Sequence, residues 1–153
     1  PPTKLDLHPD QRAWRQPVSR SCPSPLRDVL RLEQALAAPP WDPGWRSRVS
    51  IRLVALRGAF AEHVALTEGP DGCYTELLDQ APRLARRVRD LVREHDRISS
   101  ALSELQRHVD AAEISIEEVR RRAGEVLRTL ARHRQRGADL VYEAYATDIG
   151  GET

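Results

Sequence analysis

Residues 82–105 read PRLARRVRDLVREHDRISSALSEL. Leu84, Val88, Leu91, Ile98, Leu102 and Leu105 recur along this stretch in steps of four and three once His95 is counted with them, and arginines and acids fill the positions between. That period lays one apolar stripe along an α-helix and leaves no alternating face for a strand. Pro82 suits the first helical turn, where the missing N–H costs nothing. His95 is the one polar member of the stripe.

The same period continues on both sides. Upstream, Trp45 to Glu68 carries a seam of Val49, Leu53, Leu56, Phe60, His63 and Thr67, and Gly69-Pro70-Asp71-Gly72 ends it ahead of a short helical turn over Tyr74 to Gln80. Farther upstream, a first helix is expected from the Ser24-Pro25 pair to about Ala38, with Leu26, Val29, Leu30, Glu33 and Leu36 on its inner face. Pro39-Pro40-Trp41-Asp42-Pro43-Gly44 forms a rigid turn after it. Downstream of a break near Ala111 to Ser115, Ser115 caps a last helix with Glu118 at the capping-box position. Val119, Ala123, Val126, Leu130, His133, Gly137, Leu140 and Ala144 follow on its inner face. Four amphipathic segments joined by short breaks predict an all-α, antiparallel four-helix bundle over residues 25–146. A Pro-rich irregular arm, residues 1–24, precedes it, and a tail, residues 147–153, follows.

At 153 residues the chain suits one domain with one core. Charged residues make up 31% and the net charge is only +1, with acids and bases interleaved along each helix. No one-signed field exists to attract phosphate backbones, so no nucleic-acid partner is expected. The arginines between Arg83 and Arg97 are broken by Asp90, Glu94 and Asp96 and read as a solvated face. No apolar run approaches the length of a membrane span, and the first residues lack the apolar core of a signal peptide, so a cytoplasmic protein without a membrane partner is expected. Cys22 and Cys73 lie far apart and form no CxxC unit; two unpaired thiols are the expectation and a disulfide the alternative. Trp14, Trp41 and Trp45 fall near the arm and the first loop, where they would staple the arm or offer a patch to a protein partner or a second copy. No nucleophile–base pair and no phosphate loop is present, which argues against hydrolase, kinase and dehydrogenase chemistry.

The informative feature is the histidines. His63, His95 and His133 take seam positions on three successive helices that otherwise hold Leu, Val, Ile, Ala or Phe. Each buried polar group left without a partner costs on the order of 1–3 kcal/mol. A metal ion would give all three imidazoles one partner, and bundle cores build such sites from facing helices. Glu33 and Glu68 are the nearest carboxylates to complete a ligand set. A single seam histidine is more often an ordinary core residue bonded to a carboxylate or carbonyl, so the coincidence of three carries the metal reading. Whether they share one level depends on helix stagger, which sequence does not state.

The segments AEHVALTEG (61–69), REHDRI (93–98) and ARHRQRGADLVYEAY (131–145) resemble the successive helix motifs of the hemerythrin-like (HHE) cation-binding family. The resemblance spans residues 26–146 and implies a four-helix bundle around a non-haem iron centre of one or two ions, used for oxygen or iron handling or for sensing. Position by position it carries His63, His95 and His133 as ligands, with Glu68 a partial match. The pattern departs from the family in the first helix, which offers Glu33 and no histidine, and at Thr67, Ser99 and Gly137, where acids or a further histidine would stand. So short a ligand set leans towards one weakly held metal or none. Two functions therefore stand side by side: a hemerythrin-like metal-binding protein, and a metal-free bundle of the same kind acting as an interaction or regulatory subunit.

Overall fold

The computed structural model describes residues 24–146. Residues 1–23 of the Pro-rich arm, with His8, Trp14 and Cys22, and the tail from residue 147 lie outside the described residues. Five α-helices follow in order: α1 (Leu26–Ala37), α2 (Trp45–Glu68), α3 (Cys73–Gln80), α4 (Ala85–Ala111) and α5 (Ile116–Ala146), with a 3-10 turn at Pro82–Leu84 leading into α4. No strand occurs among the described residues, and the long helices pack as a four-helix bundle of α1, α2, α4 and α5. Cross-links between helices fix the direction of packing. Ser50 meets Asp110 and Arg57 meets Ser103, so α2 and α4 run antiparallel; Glu94 meets His133 and Arg87 meets Glu143, so α4 and α5 do too.

The helix ends follow their sequence signals with two differences. α2 starts at Trp45 after the Pro-Gly turn and stops before Gly69, as its period requires. Ser115 accepts the Glu118 backbone N–H at 3.1 Å, but the Glu118 carboxylate turns to Arg121 and Arg122, so half of the capping box forms. Ser24 makes no cap for α1, which begins on the carbonyl of Pro25.

The inner face of α1 also differs from expectation. Leu32 and Leu36 are the buried residues, whereas Leu26 and Leu30 are 42% and 50% exposed. α1 packs chiefly along α2, so only the strip facing α2 is covered, and the Leu26–Leu30 side is left along a cleft. The tryptophans part company as well. Trp45 is buried and donates its indole N–H to the Ala38 carbonyl at 3.1 Å, while Trp41 is 83% exposed. Arg120 of α5 donates to the Leu36 and Ala38 carbonyls at 3.0 and 2.8 Å and lies over the Trp45 ring, closing this end of the bundle.

The core divides in two. One apolar cluster gathers Leu32, Leu53, Leu56, Phe60, Ile98, Leu102 and Leu130; the other gathers Tyr74, Leu77, Leu84, Val88, Leu91 and Leu140 around α3. His95 stands between Leu91 and Ile98 on α4, and His133 between Leu130 and Leu140 on α5, so the histidines form a polar layer between two greasy ones. No described helix is long and apolar enough to cross a membrane. Cys73 is disulfide-bonded, which overturns the expectation of a free thiol at that position.

Candidate metal centre

Helix stagger brings His63, near the C-terminal end of α2, level with His95 and His133, near the middles of α4 and α5. One ring nitrogen from each lies within 4.8 Å of the other two. Ring centroids are 5.2 Å apart for His63 and His95, 5.6 Å for His63 and His133, and 4.7 Å for His95 and His133. His95 and His133 are buried and His63 is half-buried. Phe60, one turn before His63, touches all three rings, with centroids 5.7, 5.7 and 6.3 Å away, and holds their apolar side closed.

Carboxylates fix how two of these rings present themselves. The His133 Nδ1–H donates to Glu94 Oε2 at 2.7 Å, and the His95 Nδ1–H donates to Glu68 Oε2 at 3.2 Å. A carboxylate only accepts, so each ring carries its proton on Nδ1 and turns a bare Nε2 lone pair inward. Those two Nε2 atoms are 3.0 Å apart. Two lone pairs facing at that distance repel unless a proton or a cation stands between them. Burial, reinforced by the neighbouring charges of His133 and His63, pushes His95 down to about 3, and burial likewise lowers His133. The rings are therefore neutral at ordinary pH, and their contacts with Glu68 and Glu94 are N–H···carboxylate hydrogen bonds, the arrangement that orients and strengthens metal-binding imidazoles.

Further groups close the layer. The Tyr74 hydroxyl from α3 lies 3.3 Å from His95 Nε2, and its ring stacks on the imidazole with centroids 5.8 Å apart. Burial raises the Tyr74 phenol to about 12, so its hydroxyl is neutral at ordinary pH. Thr67, buried one turn beyond His63, donates its hydroxyl to the His63 carbonyl at 2.9 Å and also bonds Tyr74. Gly72 sets where α3 begins: a Cβ there would come within 2.6–2.8 Å of the carbonyls of Thr67, Leu66 and Gly69, so only glycine lets the loop close this tightly and bring Tyr74 to the histidines. On the outside Arg136 pairs with Glu94, at the edge of a groove that also holds Arg87, Arg93 and Arg97.

A cleft of about 550 Å³ reaches this layer from the surface. Leu30 and Val29 of α1 and Leu130 and Val141 of α5 form apolar walls, and His63 and His133 appear in its lining beside Thr67 and Tyr74.

Of the residues expected from sequence, the structure gathers His63, His95 and His133. Glu68 stands behind His95 on its far nitrogen, and Glu33 lines the cleft; neither is in the converging group. Two residues escaped sequence reasoning. Glu94 lies one position off the α4 seam, where periodicity assigns it to solvent, and only its pairing across to α5 gives it a role. Tyr74 gave one faint signal, an aromatic hydroxyl opening a short helix beside a glycine-rich turn. Comparison of the chain with protein-family models, with curated proteins and with solved structures returned no match.

Proposed function

We propose that this chain is a metal-binding four-helix bundle in which His63, His95 and His133 hold one non-haem metal ion, iron by the hemerythrin-like resemblance, in a role of oxygen or iron handling or sensing. The observation that carries this reading is the pair of carboxylates on the far nitrogens. Glu94 and Glu68 hold His133 and His95 in the tautomer that turns both Nε2 lone pairs on one point, 3.0 Å apart. Two nitrogens bound to one ion at 2.0–2.1 Å in tetrahedral geometry stand roughly 3.3 Å apart, so a small adjustment seats an ion. A core that merely tolerated histidines would gain nothing from aiming two acceptors at each other.

The donor set fits one ion better than two. A second ion needs bridging carboxylates, and the two nearby acids are engaged behind the rings. Imidazoles accept iron, zinc or copper. Bound there, the ion would supply Lewis acidity and, for iron, a one-electron couple. The chain does the rest: Glu94 and Glu68 orient the rings, Phe60 shields one side, Thr67 anchors the end of α2, and the apolar cleft admits small neutral molecules in preference to hydrated ions.

Elemental analysis of protein purified without a histidine tag tests this. The expected result is about one equivalent of metal, retained through dialysis and lost in His95→Ala. Wild-type metal content in that variant refutes the ligand assignment. Failure of the wild-type protein to take up iron or zinc anaerobically refutes the metal reading and leaves the interaction-subunit alternative, for which the exposed Trp41 is the first surface to examine.

A further inference from the structure

We infer that Tyr74 is the fourth protein ligand of this site, bound as a phenolate, and that it makes the centre selective for ferric iron over divalent ions. This rests on the three-histidine reading above and adds to it a residue and an oxidation state.

The geometry starts at His95 Nε2. That nitrogen has one lone pair, yet two heteroatoms crowd it, His133 Nε2 at 3.0 Å and the Tyr74 hydroxyl oxygen at 3.3 Å. The Tyr74 O–H can donate to that lone pair, but His133 Nε2 carries no proton to donate, so the two imidazole nitrogens still face each other as acceptors. An ion on that lone pair satisfies the whole group, because 3.0 and 3.3 Å are both edge lengths of a coordination shell with bonds of roughly 2.0–2.1 Å. Tyr74 therefore already stands about one ligand edge from His95. Its ring is clamped flat against the imidazole, and Gly72 and the buried Thr67 fix the start of α3, so the oxygen has little freedom to leave.

Charge then selects the ion. Imidazoles that bind through a lone pair are neutral ligands, while Glu68 and Glu94 together contribute two negative charges behind the His95 and His133 rings. A divalent ion is balanced by these two carboxylates alone, and Tyr74 can remain a phenol. A trivalent ion in this buried layer carries one further positive charge that must be compensated. The phenolate of Tyr74 is the group placed to do so. Arg136, which also meets Glu94, keeps 59% of its side chain exposed, so water screens its charge. In the binding step the phenol O–H bond breaks, the proton passes to water, and the oxygen lone pair forms the bond to ferric iron. No electron is transferred. Phenolate oxygen is a hard donor that suits ferric iron better than it suits zinc or copper(I).

The test loads the full chain with ferric iron supplied as its citrate complex, and separately with zinc. Wild-type protein is expected to bind one equivalent of each, and the ferric form alone to show a visible phenolate-to-iron charge-transfer band with resonance-enhanced tyrosine ring vibrations. Tyr74→Phe, which removes only a hydroxyl, is expected to lose the band and to bind ferric iron at least tenfold more weakly while zinc affinity changes little. Tyr142→Phe, at an exposed position, is expected to keep both. Ferric iron bound by the wild type without tyrosine vibrations, or a band that survives Tyr74→Phe, overturns the assignment of Tyr74 and leaves the histidine site standing. Absence of both zinc and iron binding overturns the site and this inference together. The wild-type vibrational spectrum decides the question even if Tyr74→Phe fails to fold.

Discussion

Glu94→Gln removes one negative charge from behind His133 while keeping the shape of the side chain. The carboxylate accepts from His133 Nδ1 at 2.7 Å, its side chain is only 13% exposed, and Arg136 holds its other oxygen. A short charge-assisted bond with little water around it is roughly twice as strong as its neutral counterpart, and it keeps the opposite nitrogen electron-rich. Loss of such an outer partner typically costs 10–100-fold in metal affinity, about 1.4–2.7 kcal/mol. The short distance and the low exposure of the Glu94 side chain place Glu94→Gln in the upper half of that range. Glu68 accepts from His95 at the longer distance of 3.2 Å and is 30% exposed, so Glu68→Gln belongs at the lower end, about tenfold or less. Competition for zinc against a chromophoric chelator measures both, with helical circular dichroism showing that each variant is folded. A Glu94→Gln protein within twofold of wild type, or a larger loss in Glu68→Gln than in Glu94→Gln, would refute the argument that these carboxylates tune the site.

Two further outcomes concern the frame that carries the site. Arg120→Lys is expected to cost roughly 1.5–3 kcal/mol in denaturant unfolding, because a lysine cannot make both carbonyl bonds at the end of α1 and also lie flat over Trp45; a loss below about 0.5 kcal/mol would show that this clamp contributes little. Ala112 closes α4 in the left-handed region at φ 52°, where a Cβ is strained. Ala112→Gly is therefore expected to raise stability by roughly 0.5–1 kcal/mol, and a fall in unfolding midpoint would contradict that.

The apolar period located α2, α4 and α5 because each is covered on one continuous stripe, and it put the three histidines on that stripe. It misjudged α1 because a short helix packed along one neighbour buries less than its apolar residues suggest: Leu32 and Leu36 are covered while Leu26 and Leu30 are not. The level at which His63, His95 and His133 meet depends on the lengths of loops and on helix stagger, neither of which a period encodes. Glu94 was illegible for a related reason, since its partner lies on another helix and its own position looks solvated. Spacing could not decide between a free thiol and a disulfide at Cys73, because it does not say which side chains meet in space.

X-ray absorption spectroscopy of the iron-loaded protein tests the three-histidine site most directly, because it counts the imidazoles around the ion. One iron with three histidine ligands at roughly 2.0–2.2 Å, no iron–iron scattering, and one imidazole fewer in His133→Ala is the expected result. An iron–iron vector, or a shell of carboxylate oxygens unchanged by removing His133, would contradict it.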